Sequence, residues 1–210
     1  MSTFRGWPAS AFTWFEGLQE DNSKAYFTAH RHNYDEAVKG PLLALLGELE
    51  DEFGPGKMFR PNRDVRFSHD KSPYKTNAAA VAPGDMHQPG FWVEVSAEGI
   101  AAGAGYHGAD RTQVERFRAA VADDSSGREL ETIVKQLEDA GLEIHGETLK
   151  SAPRGYPRDH PRIRLLRHTD LIAVRREPPG PLARSAAAAT WVRETWHTCT
   201  PMVSWLRANM

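Results

Sequence analysis

Residues 91 to 106 read FWVEVSAEGIAAGAGY, and this stretch decides the fold class. Residues 91 to 96 are rich in aromatic and β-branched side chains, which favour a strand. Ala97-Glu98-Gly99 then predicts a tight turn into a second strand from residue 100 to residue 106. The middle of the chain is therefore predicted to be antiparallel sheet.

The chain before this hairpin is predicted to be helical. Between residues 9 and 53, apolar side chains recur at spacings of three or four, as on one face of a helix. Asn22 and Ser23 predict a cap between two helices. Gly40-Pro41 predicts a kink or interruption, and the GPG that follows residue 53 predicts a stop.

The chain after the hairpin returns to helix between residues 110 and 140. Asp110 with Gln113 has the form of a capping box, and Ser126 with Glu129 repeats that form. Two capped helices are therefore predicted in this segment.

Three further segments complete the prediction. Residues 78 to 90, rich in Ala, Pro and Gly, predict a surface loop, and residues 171 to 176 predict a short strand. Residues 182 to 208 predict one or two closing helices, with core positions at Trp191, Trp196 and Trp205. Helices and antiparallel hairpins without a regular βαβ alternation predict an α+β fold, which we expect to form one domain over residues 1 to 210.

The composition is that of an ordinary globular protein, with 40% hydrophobic and 26% charged residues among 210. No apolar run approaches the roughly 20 residues that span a bilayer. The N-terminal MSTFRGWPAS lacks a cationic region followed by an apolar one. The single cysteine, Cys199, excludes an internal disulfide and suits a reducing compartment. We therefore expect a cytoplasmic protein without a membrane partner.

Positive charge is concentrated in two segments, although the net charge is only −2. The first basic window, residues 60 to 76, reads RPNRDVRFSHDKSPYKT and holds five cations and two carboxylates. The second basic window, residues 150 to 168, reads KSAPRGYPRDHPRIRLLRH and holds six more cations. Together they contain eleven of the 26 Lys and Arg residues. We expect the two windows to build one site that favours an anion.

The backbone of the first basic window has two readings. Arg60, Arg63 and Arg66 recur every third residue, as on one side of a tight helical turn, whereas Pro61 favours extended chain. In the second basic window, three prolines within nine residues predict a rigid loop that could hold polar groups at fixed positions.

Arginine can hold a phosphate or carboxylate by two parallel hydrogen bonds, and lysine supplies a mobile point charge. The predicted ligand-binding residues are the cations and tyrosines of both windows: Arg60, Arg63, Arg66, Lys71, Tyr74, Lys75, Arg154, Tyr156 and Arg158. If the protein is an enzyme, the candidate acids or bases are the carboxylates and the histidine beside those cations: Asp64, Asp70, Asp159 and His160. In the alternative reading, the carboxylates only pair with the cations and brace the fold.

Both windows resemble the DUF2461 family, a conserved hypothetical family of bacteria and some fungi. The resemblance covers most of residues 12 to 206 and includes FEGLQEDNSKAYFTAHRHNYDEAV near the N-terminus. The matching positions of the windows are Arg60, Arg63, Asp64, Arg66, Phe67, Asp70, Lys71, Pro73, Tyr74, Lys75, Thr76, Pro153, Gly155, Tyr156, Asp159, His160 and Pro161. The family shows a paired Asn followed by Trp-Phe, whereas this chain has Asp21-Asn22 and Tyr26-Phe27, which weakens any role for position 26. The resemblance implies no particular activity.

Other motifs do not support a cofactor. Residues 103 to 108, GAGYHG, match GxGxxG, but a hairpin precedes them and a second helix follows, so glycines that ease a strand end are the better reading. His30 and His32 point about 200° apart on a helix, and the chain has no HExxH, GxSxG or P-loop. We predict no metal and no cofactor.

The sequence thus predicts a protein that binds a phosphorylated or otherwise anionic small molecule. A nucleic-acid-binding protein is the first alternative, and it requires the cations to lie along an exposed stripe. A non-catalytic interaction or structural module is the second alternative.

Overall fold

A computed structural model describes residues 3 to 66, 70 to 84 and 88 to 210. Six strands form one sheet in the order β1-β2-β3-β4-β6-β5, and its two outermost pairs, β1 with β2 and β5 with β6, are antiparallel. The strands are β1 Lys57–Met58, β2 Asn77–Ala82, β3 Gly90–Ser96, β4 Gly99–Tyr106, β5 Glu143–His145 and β6 Leu171–Glu177. The predicted α+β class is confirmed.

Contacts divide the chain into two compact units. Unit 1 comprises Met1–Gly84, Trp92–Ala102 and Arg176–Glu194, and unit 2 comprises Asp85–Phe91, Gly103–Arg175 and Thr195–Met210. That the whole chain forms one domain stays a prediction.

Unit 1 contains the N-terminal helices and the β1 edge of the sheet. Its helices are α1 Ala9–Glu20, α2 Lys24–Ala29, α3 Arg31–Asn33, a π-helical segment Tyr34–Lys39, and α4 Gly40–Phe53. Trp7, Phe15, Leu18, Leu42 and Leu45 are almost fully buried and form its core. Helix α4 packs on β1 and β2, so one face of these two strands is covered.

Unit 2 contains α5 Arg111–Ala122, α6 Asp124–Asp139 and α7 Ile163–Leu166, together with β5 and most of β6. Helix α8, Ala187–Asn209, begins in unit 1 and continues into unit 2. The core residues of unit 2 include Val121, Leu130, Leu137, Leu166 and Trp196. Trp191, Trp196 and Trp205 are all buried, so the core positions predicted for them are confirmed.

The central hairpin forms as predicted, with β3 and β4 joined by the turn before Gly99, whose φ is +117°. The predicted strand from residue 171 is also present as β6. The loop predicted for residues 78 to 90 is wrong in its first part, because Asn77–Ala82 is strand β2. Ala78, Ala80 and Ala82 of this strand are buried, and their small side chains allow α4 to approach the sheet closely.

Several predicted helix ends are confirmed and two are corrected. Ser23 caps α2, and Asp110 and Gln113 form the predicted capping box of α5. Helix α6 is capped by Asp123 and not by Ser126, because the Asp123 carboxylate accepts hydrogen bonds from two backbone N–H groups. The helical backbone is not interrupted at Gly40-Pro41, because α4 begins at Gly40 directly after the π-helical segment.

The glycines of residues 103 to 108 serve strand packing, as predicted. A Cβ on Gly103 would lie 1.9 Å from the carbonyl oxygen of Ala173, and one on Gly105 would lie 2.1 Å from that of Leu171. Only glycine leaves room for β6 at these positions. Within the described ranges, no helix has the length and apolarity required to cross a bilayer.

Candidate anion site

The described parts of the first basic window form an extended antiparallel ribbon in unit 1. The backbone N–H of Arg63 donates to the carbonyl oxygen of Pro73 (2.9 Å), and the N–H of Lys75 donates to the carbonyl oxygen of Pro61 (2.9 Å). Between these bonds, Asn62 and Tyr74 form an isolated antiparallel bridge. The extended reading is therefore confirmed, and the helical-turn reading is wrong. Residues 67 to 69, which include Phe67 of the family pattern, lie outside the described residues.

Tyr74 fastens this ribbon to the N-terminal helices. The Asn22 side chain accepts from the backbone N–H of Tyr74 (3.0 Å) and donates to its carbonyl oxygen (3.1 Å). The Tyr74 ring is 8% exposed and stacks on the Phe27 ring with centroids 4.2 Å apart. The Tyr74 ring, which the sequence assigned to ligand binding, is therefore used for packing.

Two cations of the first basic window are paired with its own two carboxylates. Arg66 makes a bidentate ion pair with Asp64, with Nη2 2.7 Å from Oδ2 and Nε 3.0 Å from Oδ1. Arg63 pairs through Nη1 with Asp70, which also accepts from the backbone N–H of Ser72 (2.9 Å). These two ion pairs support the alternative interpretation, in which the carboxylates pair with the cations and brace the fold.

These contacts lower the pKa of both carboxyls. Hydrogen bonds from the Arg66 side chain and backbone lower the pKa of Asp64 from 3.8 to about 2. Hydrogen bonds from Ser72, together with the charge of Arg63, lower the pKa of Asp70. A carboxylate with a lowered pKa is a weak base near neutral pH. Catalytic roles for Asp64 and Asp70 stay predictions.

Lys75 lies within the electrostatic influence of two other cations of the first basic window. Burial, followed by the charges of Arg60 and Arg63, lowers the pKa of Lys75. Its ammonium lies over the Phe59 ring, 5.2 Å from the centroid. Among the described residues, neither Lys75 nor Arg60 has a carboxylate within ion-pair distance. Lys71 is exposed and donates to the carbonyl oxygen of Val65 (2.9 Å).

The second basic window lies in unit 2, and its buried arginine was not among the predicted site residues. Arg162 is 5% exposed and donates to the carbonyl oxygens of Val121 (2.6 Å) and Ala122 (3.0 Å) and to Asp124 (2.9 Å). It therefore joins the end of α5 to the start of α6. The local sequence does not separate it from the other arginines of the window, because its two carbonyl acceptors lie 41 and 40 positions away in the chain.

The predicted site residues of this window are arranged by two successive turns. Tyr156 donates its backbone N–H to Pro153 (3.2 Å), and His160 donates its own to Pro157 (3.2 Å). The Nδ1 of His160 accepts from the backbone N–H of Arg162 (3.1 Å), which leaves Nε2 as the nitrogen available to a ligand. The loop prediction is confirmed for this segment.

The remaining charged residues of this loop are exposed. Arg154, Arg158 and Asp159 have no ion-pair partner in the part of the chain that the structure describes. Because the two basic windows lie in different units, their meeting in one site stays a prediction.

Three other features of the described residues do not support an anion site, a metal site or a catalytic cysteine, respectively. A cavity of about 220 Å³ in unit 1 is lined by Pro8, Ser10, Asn33, Glu36 and Ala37, and none of these is a cation. Across the described residues, no group of three or more His, Cys, Asp or Glu side chains could hold a metal ion. Cys199 is buried, and burial raises its pKa to about 12, so it is not a nucleophile in this state.

A comparison with models of protein families gives the same family as the sequence motifs. The model of the conserved hypothetical protein family DUF2461 matches residues 10 to 205. The chain belongs to the DUF2461 family. A search of curated proteins finds no match to it. In this DUF2461 protein, the N-terminal motif supplies Asn22 and Phe27, which hold Tyr74 of the central motif.

Replacing Asn22 by Ala tests the attachment of the first basic window. The change removes both hydrogen bonds to the Tyr74 backbone, and we expect the free energy of unfolding to fall by about 1 to 3 kcal/mol. Gln19→Ala, which removes an exposed side chain from α1, is the control and should change it by less than about 0.5 kcal/mol. Equal effects in urea denaturation would contradict the attachment.

The Asp64–Arg66 pair predicts a specific pH dependence. The folded pKa of about 2 lies below the ordinary 3.8, so the pair stabilises the fold above about pH 4 and loses this contribution as the pH falls towards 2. An NMR titration of the Asp64 carboxyl carbon should have its midpoint near 2 and return towards 3.8 in Arg66→Ala. Arg31→Ala, which removes another exposed ion pair, should leave this midpoint unchanged.

Arg162→Met tests the buried arginine of unit 2. Without its guanidinium, one buried and one partly buried carbonyl oxygen lose their donors, and we expect a loss of about 2 to 4 kcal/mol in the free energy of unfolding. Arg164→Met removes an exposed pair with Glu138 and should cost no more than about 1 kcal/mol. A thermal or urea melt of both variants decides between a structural and a solvated arginine.

Proposed function

We propose that this protein binds a phosphorylated or otherwise anionic small molecule at Arg60, Arg63 and Lys75 of unit 1. The observation that supports the proposal most is the position of Lys75, which is half-buried beside two other cations. Like charges that are held together destabilise one another, and a bound anion would relieve that repulsion.

The surroundings of Lys75 favour a ligand over an internal ion pair. Of the window's two carboxylates, Asp64 is engaged by Arg66 and Asp70 by Arg63 and Ser72. Within the described residues, neither carboxylate lies within ion-pair distance of Lys75 or Arg60, although the charge of Arg60 contributes to the lowered pKa of Asp64. A phosphate would supply several strong acceptors to these two cations at once.

The guanidinium of Arg63 belongs to the same cluster as Lys75 and Arg60 and can donate two parallel hydrogen bonds to a phosphate. Its partner Asp70 is about half exposed, with 52% of its side-chain surface accessible. An exposed ion pair contributes little free energy, so a ligand phosphate can replace Asp70 at little cost. Arg66 is different, because Asp64 already accepts hydrogen bonds from its Nε and Nη2 in a bidentate pair.

The same reasoning supports a cytoplasmic protein, which is part of the proposal. Phosphorylated metabolites are abundant in that compartment, and the single cysteine is buried and free. No reaction is proposed.

Calorimetric titration with pyrophosphate tests the site. Lys75→Met keeps the aliphatic stem over Phe59 and removes the charge, and we expect it to weaken pyrophosphate binding by at least about tenfold, as for the loss of one charge-assisted hydrogen bond. Arg66→Gln is the matched control, because Asp64 already neutralises Arg66, and it should change the affinity less than about twofold.

Three results would contradict the proposal. Absence of pyrophosphate binding would overturn it, and equal losses in Lys75→Met and Arg66→Gln would indicate a diffuse positive surface. Tighter binding of single-stranded DNA, with a log–log salt slope of about 0.7 per phosphate contacted, would instead identify a nucleic-acid binder.

A further inference from the structure

We propose that the open face of the unit 1 sheet, next to the anion site, binds the hydroxyl-bearing part of a sugar phosphate, with Glu94 as its hydrogen-bond acceptor. The open face is formed by Phe59, Lys75, Asn77, Trp92 and Glu94. This inference rests on the proposed function and names the class of ligand.

The register of the strands places these residues on one face. Side chains alternate across a strand, and in β2 the residues between the buried alanines are the half-buried Asn77, Ala79 and Val81. Phe59 donates its backbone N–H to Ala79 (2.9 Å), so it lies beside this row. Lys75 precedes this strand by two positions, and its ammonium lies 5.2 Å from the centroid of the Phe59 ring, which brings it to the same face.

Glu94 joins β3 to the same face. Its Oε2 accepts from Asn77 Nδ2 at 2.6 Å, which fixes the carboxyl beside the β2 row. Glu94 is partly buried, and burial raises its pKa, while Asn77 and then Arg176 oppose the rise. Its second oxygen, Oε1, makes no hydrogen bond within the described residues and is not sealed from solvent. A half-buried acceptor in this state is stabilised by a donor from a ligand.

The rest of the open face is aromatic or small. Phe59 and Trp92 are half-buried, and Ala79 lies between polar positions of the two strands. Aromatic faces pack against the C–H groups of sugar rings, and the hydroxyls of the ring then need polar partners at its edge.

The spacing of the two polar ends suits one small ligand. Lys75 precedes Asn77 by two positions, and two positions of extended chain span about 7 Å, which is about the length of one sugar ring. A phosphate at Lys75 therefore places ring hydroxyls near Oε1 of Glu94. A longer chain of phosphates would instead cross an uncharged, partly aromatic surface.

Such a face discriminates strongly between ligands. A site that is built to accept a hydrogen bond rejects an analogue without the donor, because its own polar atom is then left unsatisfied. An alkyl phosphate would satisfy Lys75 and leave Glu94 without a partner. The open face therefore predicts a preference for hydroxylated esters that inorganic phosphate alone does not reveal.

The test compares inorganic phosphate, propyl phosphate and ribose 5-phosphate by calorimetry on the full chain. In the wild-type protein, ribose 5-phosphate should bind at least about tenfold more tightly than propyl phosphate. Glu94→Met removes the acceptor and keeps the length of the side chain, so it should remove this preference, while the affinity for inorganic phosphate changes less than about twofold. Glu98→Gln removes a nearby exposed charge and should leave the preference intact.

Wild-type NMR provides a second measurement that needs no variant: ribose 5-phosphate, but not propyl phosphate, should shift the Glu94 carboxyl carbon. Equal binding of the two esters, or no shift of Glu94, would overturn this inference and leave the anion site standing. Absence of binding by all three probes would overturn both.

Discussion

The backbone of Tyr74 is held at its N–H and its C=O by the side chain of Asn22, while its ring stacks on Phe27. This contact joins residues 52 positions apart in the chain. The hydrogen bonds replace water at two backbone groups, and the stacking buries an aromatic ring. Hydrogen bonding and apolar burial therefore stabilise the same position of the loop. The first basic window owes its fixed position in unit 1 to this contact, although most of its residues lie outside any strand.

Once the window is held there, its charges divide into two groups with different consequences. The pairs Asp64–Arg66 and Asp70–Arg63 are local, exposed and close in sequence, so they form with little loss of chain entropy. Within the described residues, Lys75 has no carboxylate at ion-pair distance. Tyr74, which precedes it, is buried in the core, and strand β2 begins two positions after it. The proposed ligand is therefore matched to the cation that the loop itself does not neutralise.

Some of the site followed directly from the residues. The clustering of Arg and Lys located the first basic window, and the prolines of the second window predicted its turns. The sequence did not separate Lys75 and Arg60 from the other cations, because charge pairing depends on which side chains the ribbon places together. Asp64 and Asp70 were equally good as bases or as partners until the bidentate geometry of Arg66 was known. Glu94 was missed because an isolated carboxylate in a strand pattern looks like an ordinary solvent-facing residue.

By itself, the sequence determined the periodicities: the helices, the β3–β4 hairpin and the capping box of α5, because each depends on residues that are near one another in the chain. It also determined the family and the concentration of charge. Only the tertiary structure decided that Asn77–Ala82 is a strand, that Arg162 is buried and that Tyr74 is a packing residue. Each outcome depends on a partner many residues away: α4 for the strand, the end of α5 and the start of α6 for Arg162, and Asn22 for Tyr74. Local propensity does not encode such long-range contacts.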